Sequence, residues 1–313
     1  MFNYLSQECA KKDIPQSKTL LATLNEAVIS ASEILRESVV IQPCNHEEAD
    51  TRVILHAYHA ASVGFKRIAI RTVDTDVVVL AVHFFERIRC DELWIAFGTG
   101  KNFRYIPVHL LVLTLKPEMC HALLGFHSFT GCDTTSAFYG RGKKMAWESW
   151  CLFPDVSNAF IALQKCPERL SPDKLALLER FTVILYDRTS SQTLVNAARQ
   201  SLFTRGLQIL RIPPTQDALI QHCLRAAFQA GVWSQALVAQ CTLPNPADWG
   251  WVLTDNTNWT PLWTTIADAD KSCLELIRCG CKTGCTTRRC KCVSANLKCT
   301  ALCSCEGECN STI

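Results

Sequence analysis

Residues 67–97, RIAIRTVDTDVVVLAVHFFERIRCDELWIAF, decide the fold. Arg67 to Val73 reads as a strand. The run from Thr75 to Arg87 carries apolar residues at helical spacing, and Leu93 to Phe97 reads as a second strand. Strand, helix and strand in so short a span imply parallel pairing, and with it an α/β layer fold.

Working outward, a helix is expected on the N-terminal side after Cys44-Asn45. Asn45 is a good N-cap and Glu48 completes a capping box, with the helix running through Ala61 to a stop near Gly64. Further upstream, Lys18 to Glu37 places Leu20, Leu21, Leu24, Val28, Ile29, Ile34 and Leu35 in a helical pattern. Beyond residue 150 the chain reads as mostly helical. One helix opens at Leu170-Ser171-Pro172 and another at Pro213-Pro214-Thr215, and no catalytic pattern is visible there. A stretch with Trp249, Trp251, Trp259 and Trp263 leads to a third region. The expected organisation is an α/β domain over 1–150, a helical region and linker over 151–270, and a small module over 271–313.

The 313 residues are 48% apolar and 19% charged, with a net charge of +3. A balance so close to zero means that any nucleic-acid contact must come from a local patch. No stretch approaches the ~18–20 apolar residues of a membrane span, and the N-terminus lacks the basic and apolar pattern of a secretory signal. The expectation is an intracellular, reducing environment and no membrane partner.

Nine of the nineteen cysteines crowd the C-terminal end: Cys279, Cys281, Cys285, Cys290, Cys292, Cys299, Cys303, Cys305 and Cys309. Val293, Leu297, Ala301 and Leu302 are most of the apolar content there. Such a segment cannot bury enough surface to offset its ordering entropy, whereas each structural zinc supplies on the order of 10 kcal/mol or more. Zinc takes four thiolates. Nine thiolates do not divide by four, but three ions sharing three bridging sulfurs use all nine. Disulfides are the competing explanation, and a reducing compartment disfavours them. Nine thiolates against six metal charges leave −3. Arg278, Lys282, Arg288, Arg289, Lys291 and Lys298 more than offset this. Arg288, Arg289 and Lys291 form the densest basic patch in the chain, of a kind suited to a narrow minor groove.

The segment from Arg278 to Asn310 resembles the tesmin-type CXC domain, whose members hold three zinc ions on nine cysteines and contact DNA through the minor groove. Those repeats usually carry a tyrosine before the fourth cysteine and often come in pairs. Here the position is Arg289 and the repeat is single.

Four further motifs lie in the first region. Glu48 and Asp50 open the helix after Cys44, and Asp50 heads an apolar stripe of Ile54, Ala57 and Ala61. A buried aspartate needs a partner or a metal, whereas Glu48 alone reads as a cap. Asp74 and Asp76 follow the first strand, at the strand end where α/β sites lie, and could hold Mg²⁺. Asp74 or Thr75 could equally cap the next helix. Asp133 sits in Gly131-Cys132-Asp133-Thr134. Gly140, Gly142, Lys143 and Lys144 open another helix in a pattern suited to a phosphate backbone, or form an ordinary basic turn.

Together these motifs resemble the second half of the flap-endonuclease core (XPG-like, PIN-related). The resemblance implies metal binding by Glu48, Asp50, Asp74, Asp76 and Asp133, and backbone tracking by Gly140, Gly142, Lys143 and Ala146. It also implies aspartates on two earlier strands, but the residues before Glu48 read as helix with a lone Asp13. The expectation is therefore an incomplete PIN/FEN-like layer fold, similar to those in mobile-element-derived animal proteins. The favoured function is that of a nuclear, zinc-dependent DNA-binding protein with an inactive core. The alternatives are a Mg-dependent structure-selective nuclease and a protein-interaction scaffold.

Overall fold

A computed structural model describes residues 18–30, 41–255 and 257–266, and in the cysteine-rich end 279–281, 284–295, 297–299 and 303–305, with Glu8 and Pro15 as isolated positions. The chain divides into two compact units between Trp263 and Thr264.

The first unit is mixed α/β. Strand β3 (Arg67–Thr72) pairs in parallel with β4 (Glu92–Phe97), with Ile68 opposite Leu93 and Ile70 opposite Ile95. Helix α2 (Thr75–Ile88) makes the crossover. Those four side chains point to one face, where they are buried with Val77, Leu80, Ala81 and Phe84 of α2. The third strand departs from a purely parallel layer. Strand β5 (Arg104–Pro107) returns antiparallel on β4, with Ile106 opposite Ile95. The reversal is tight. Gly98 has φ +82°, and a Cβ there would stand 2.6 Å from the Asn102 carbonyl oxygen, so only glycine fits.

Helices cover the rest of the unit. They are α1 (Ala49–Ser62), α3 (Val108–Thr114), α4 (Pro117–Phe129), α5 (Lys143–Leu152), α6 (Ser157–Leu163), α7 (Pro172–Tyr186), α8 (Val195–Thr204) and α9 (Gln216–Ser234). Pro172 occupies the first turn of α7, and the Thr215 hydroxyl caps α9 by accepting from the Ala218 N–H, as the sequence predicts. Helix α4 is central. Gly125 lets α6 cross it at backbone contact, because a Cβ would lie 1.9 Å from the Phe160 carbonyl oxygen. The Phe126 ring stacks on Trp150 at 4.7 Å. One apolar core runs from Ile54 through Phe129, Phe160 and Phe181 to Trp233 and Trp249, so packing is continuous across residue 150.

The predicted helix over Lys18–Glu37 is replaced, where the structure describes it, by a hairpin of β1 (Leu21–Leu24) and β2 (Ala27–Ser30). Residues 31–37 of that prediction lie outside the described residues. Leucines at 20, 21 and 24 fit a helical stripe, but Asn25 adopts φ +52° and turns the chain. Arg52 on α1 fastens the turn by donating to the Asn25 and Ala27 carbonyls.

The expected Asn45–Glu48 capping box is also absent. Glu48 itself is the N-cap residue of α1, without a side-chain cap bond. Asn45 instead clasps Cys241, donating to its carbonyl at 2.9 Å and accepting from its N–H at 2.7 Å. A long-range clasp outcompetes the local cap. A last hairpin, β6 (Trp251–Thr254) and β7 (Asn258–Pro261), is fixed to α9 by the buried Arg225. Its guanidinium donates to the Gly250 carbonyl at 3.2 Å and the Leu262 carbonyl at 2.5 Å. No described helix is long and apolar enough to cross a membrane.

In the second unit the described residues form turns around one short helix, α10 (Lys291–Ser294).

Candidate functional site

The second unit is built on sulfur. Cys279, Cys285, Cys290, Cys292 and Cys303 are buried, and their neighbours in that cluster are Cys281, Cys299, Cys305, Val293 and Leu297. None of the described cysteines is in a disulfide. The sulfurs form three groups able to hold a metal ion: Cys279 with Cys281, Cys285 and Cys290; Cys279 with Cys299, Cys303 and Cys305; and Cys279 with Cys290, Cys292 and Cys299. Cys279, Cys290 and Cys299 each belong to more than one group.

The spacing of the sulfurs carries the metal reading. Cys279 Sγ lies 3.7 Å from Cys285 Sγ and 3.8 Å from both Cys299 Sγ and Cys305 Sγ. Cys290 and Cys299 are 3.8 Å apart, and Cys292 and Cys303 are 3.5 Å apart. A disulfide requires about 2.05 Å. A tetrahedron with Zn–S bonds of about 2.3 Å has edges of about 3.8 Å. The cluster thus has the dimensions of zinc thiolate coordination, and it can bind zinc. Arg288, Arg289, Lys291 and Lys298 are exposed beside it. Cys309, Arg278 and Lys282 lie outside the described residues.

The first unit gathers a second group. Carboxylate oxygens of Asp50, Asp74 and Asp76 lie within 4.8 Å of one another and can hold a metal ion. Asp50 stands in the first turn of α1 and Asp76 in the first turn of α2. Asp74 caps α2, its Oδ1 accepting from the Asp76 N–H at 2.9 Å. The Thr72 hydroxyl at the end of β3 accepts from the Asp74 N–H at 3.0 Å. Capping and metal binding are compatible, since one oxygen caps and the other remains. Burial, reinforced by the negative charges of Asp74, Asp76, Glu48 and Asp133, raises Asp50 to about 6. A cation would relieve that repulsion.

Glu48 and Asp133 stand outside this trio. Glu48 accepts from Gln229 Nε2 and from Trp233 Nε1, each at 2.9 Å, so both its oxygens are engaged by α9. Asp133 is exposed on a loop anchored from two sides. Thr134 donates to Gln229 Oε1 at 2.8 Å. Ser136 meets His222 Nδ1 at 3.2 Å, and the other nitrogen of that ring donates to the Phe129 carbonyl at 2.7 Å.

Gly140 and Gly142 are exposed with open space around them, and Lys144 is exposed. Lys143 turns inward. Its ammonium donates to the His127 carbonyl at 2.6 Å and the Thr130 hydroxyl at 2.8 Å, and burial lowers it to about 8. Its cation thus faces the acidic trio's supporting residues. His127 Nε2 lies 2.8 Å from Asp76 Oδ1, both groups nearly buried.

Sequence reasoning passed over His127, Gln229 and Trp233. The contacts of α9 with Glu48 bridge 181 and 185 residues of chain, and no local pattern encodes such a pairing. One signal was available. His222, Arg225, Gln229 and Trp233 recur at helical spacing on a largely buried helix. A polar stripe there must find partners.

No family model, no curated protein and no solved structure matches this chain.

Proposed function

We propose that this protein binds DNA through a C-terminal unit folded on three zinc ions, as a tesmin-like CXC module acting in the nucleus. The sulfur spacing carries the reading. One ion takes Cys279, Cys281, Cys285 and Cys290. A second takes Cys290, Cys292, Cys299 and Cys303, and a third takes Cys279, Cys299 and Cys305 with Cys309. Each bridging sulfur then serves two ions and no thiolate is left over. Cys279, Cys290 and Cys299 recur in the groupings, as bridging sulfurs must; the scheme keeps the first grouping whole and moves Cys303 from its grouping with Cys279, Cys299 and Cys305 to the second ion. The 3.5 Å approach of Cys292 to Cys303 favours placing both on one ion. Arg288, Arg289 and Lys291, exposed around the bridging Cys290, are the DNA-facing cations of this reading. Anisotropy titrations of duplex DNA against full-length protein test it. Arg288→Glu with Arg289→Glu abolishes most of the affinity if they are the contact, and an unchanged affinity removes the reading.

A second reading rests on Asp50, Asp74 and Asp76. We infer that β3, α2 and β4 with this acidic edge are the remnant of a PIN-related nuclease core. A divalent cation held there supplies Lewis-acid activation of a phosphodiester and of its bound water. The chain's part is to hold that cation on three carboxylates and to fix Asp76 through His127. Three carboxylates suffice for one ion, and a two-metal centre needs more ligands. Incubation of branched DNA with Mg²⁺ separates the readings: cleavage abolished by Asp74→Asn establishes the second, and its absence leaves the first alone.

A further inference from the structure

Strands β3, β4 and β5 form one sheet with two unlike faces. Ile68, Ile70, Leu93 and Ile95 bury one face beneath helices. The alternate residues make the other face. Across it Arg71 stands beside Ala96, and Ala96 beside Tyr105; in the next row Ala69 stands beside Trp94, and Trp94 beside Pro107. A parallel strand pair is ordinarily covered on both faces. Here Arg67, Ala69, Arg71 and Tyr105 are exposed. Tyr105 is 61% and its neighbour Phe103 41% exposed, and the two rings meet edge to face at 5.1 Å. The Arg71 guanidinium lies 5.1 Å from the centre of the Phe103 ring and donates to the Thr72 and Ala96 carbonyls at 3.1 and 2.8 Å. Those bonds fix the cation without neutralising it, since among the described residues no carboxylate pairs with Arg71. Arg67 differs, for it meets Glu92 at 3.2 Å, and the Trp94 indole donates to the same carboxylate at 2.9 Å. With alanine at 69 and 96, the floor between Arg71, Trp94 and Tyr105 stays low.

We infer that this open sheet face binds single-stranded nucleic acid, with bases stacked on Tyr105 and Phe103 and a phosphate held by Arg71. The face asks for a partner that brings flat apolar groups and negative charge together. An unpaired strand does both, because each nucleotide offers a π face and a phosphate. A duplex hides its base faces within its own stack. An apolar protein surface laid over the face would bury the Arg71 charge without a counter-charge, which is costly. A second copy of this chain would add another Arg71 and no compensating acid at that place. The inference goes beyond both readings above and uses no residue of the zinc unit or of the acidic trio.

The test uses the full-length chain carrying Arg288→Glu with Arg289→Glu, so that the basic edge of the zinc unit is removed. It is titrated with fluorescein-labelled oligo(dT) and with an abasic strand of the same length, which keeps the phosphates and lacks the bases. Oligo(dT) is expected to bind about tenfold tighter, the contribution of one stacked base. Adding Phe103→Leu with Tyr105→Leu, which keeps apolar bulk and removes both rings, lowers oligo(dT) to the level of the abasic strand. Adding Arg71→Gln instead weakens both strands and flattens the slope of log K against log salt by about 0.7, one phosphate contact. Thermal melts matching the parent show that each variant is folded; should the double aromatic variant melt early, Tyr105→Leu alone is expected to lose part of the advantage. Equal affinity for the two strands overturns the proposal, as does an advantage for oligo(dT) that survives loss of the rings. A dimer in sedimentation that Tyr105→Leu dissociates also overturns it, by assigning the face to a second copy. The two DNA readings fail separately. Duplex affinity unchanged by Arg288→Glu with Arg289→Glu removes the zinc-unit reading, while the base-dependent difference reports on the sheet face alone.

Discussion

Trp233 donates its indole N–H to Glu48 Oε2 at 2.9 Å, joining the middle of the chain to the residue that opens α1. Gln229, one turn earlier, donates to the other oxygen. Helix α9 thus engages a carboxylate that would otherwise face Asp50, Asp74 and Asp76. The site is a product of the whole first unit rather than of its α/β half.

Trp233→Phe therefore removes both a donor and packing volume from a residue that is 1% exposed. The expected loss is about 2–3 kcal/mol, combining an under-satisfied carboxylate with a small cavity. Urea unfolding measures it. A variant as stable as wild type shows that the indole does not hold Glu48.

His222 gives a pH dependence. Burial lowers it to about 4, and its ring joins the Asp133 loop to α4. The unfolded state binds its proton near the ordinary pKa of about 6.5. Between about 6.5 and 4 the unfolded chain therefore carries more protons on this residue, and stability falls as pH falls. The full loss from this group is about 3 kcal/mol. Urea midpoints of wild type and His222→Gln should converge as pH drops from 7 to 4. A constant gap across that range shows that His222 does not titrate on unfolding.

The acidic trio separates charge from capping. Asp74→Asn keeps the oxygen that accepts from the Asp76 N–H, whereas Asp74→Ala loses it. Without divalent ions, the Ala variant should be about 1 kcal/mol less stable than the Asn variant. With Mg²⁺ or Mn²⁺, wild type should gain melting temperature and neither variant should. A metal-induced gain retained in Asp74→Asn places the ion elsewhere.

How far the sequence foretold this arrangement depends on the range of the interaction. The strand–helix–strand of residues 67–97 was readable because the period changes from two to 3.6 within it. The cysteine spacing was equally local, and the sulfurs of Cys279 to Cys305 converge in space. The hairpin at Asn25 was hidden because leucines at 20, 21 and 24 satisfy a helical stripe and the turn contains no glycine. The engagement of Glu48 was invisible for a different reason. Its donors stand on a helix whose approach is set by the shared core and by the close contact of Gly231 with Cys166, and by no motif near Glu48. Lys143 reads as a surface cation beside two exposed glycines, and only packing shows its ammonium turned inward.

Salt dependence tests the basic edge of the zinc unit. Each phosphate contact contributes a slope of about −0.9 to log K against log salt. Neutralising Arg288, Arg289 and Lys291 together should flatten the slope by about two to three. A slope unchanged by that triple variant means that these exposed cations serve the cluster's own charge balance.

The most direct measurement is the zinc content of the full chain, by native mass spectrometry under reducing conditions. Three zinc ions per chain are expected, with the count falling in Cys279→Ser, because that sulfur recurs among the groupings and bridges two of the three ions in the proposed scheme. A chain that carries no zinc, or keeps its full complement without Cys279, contradicts the account.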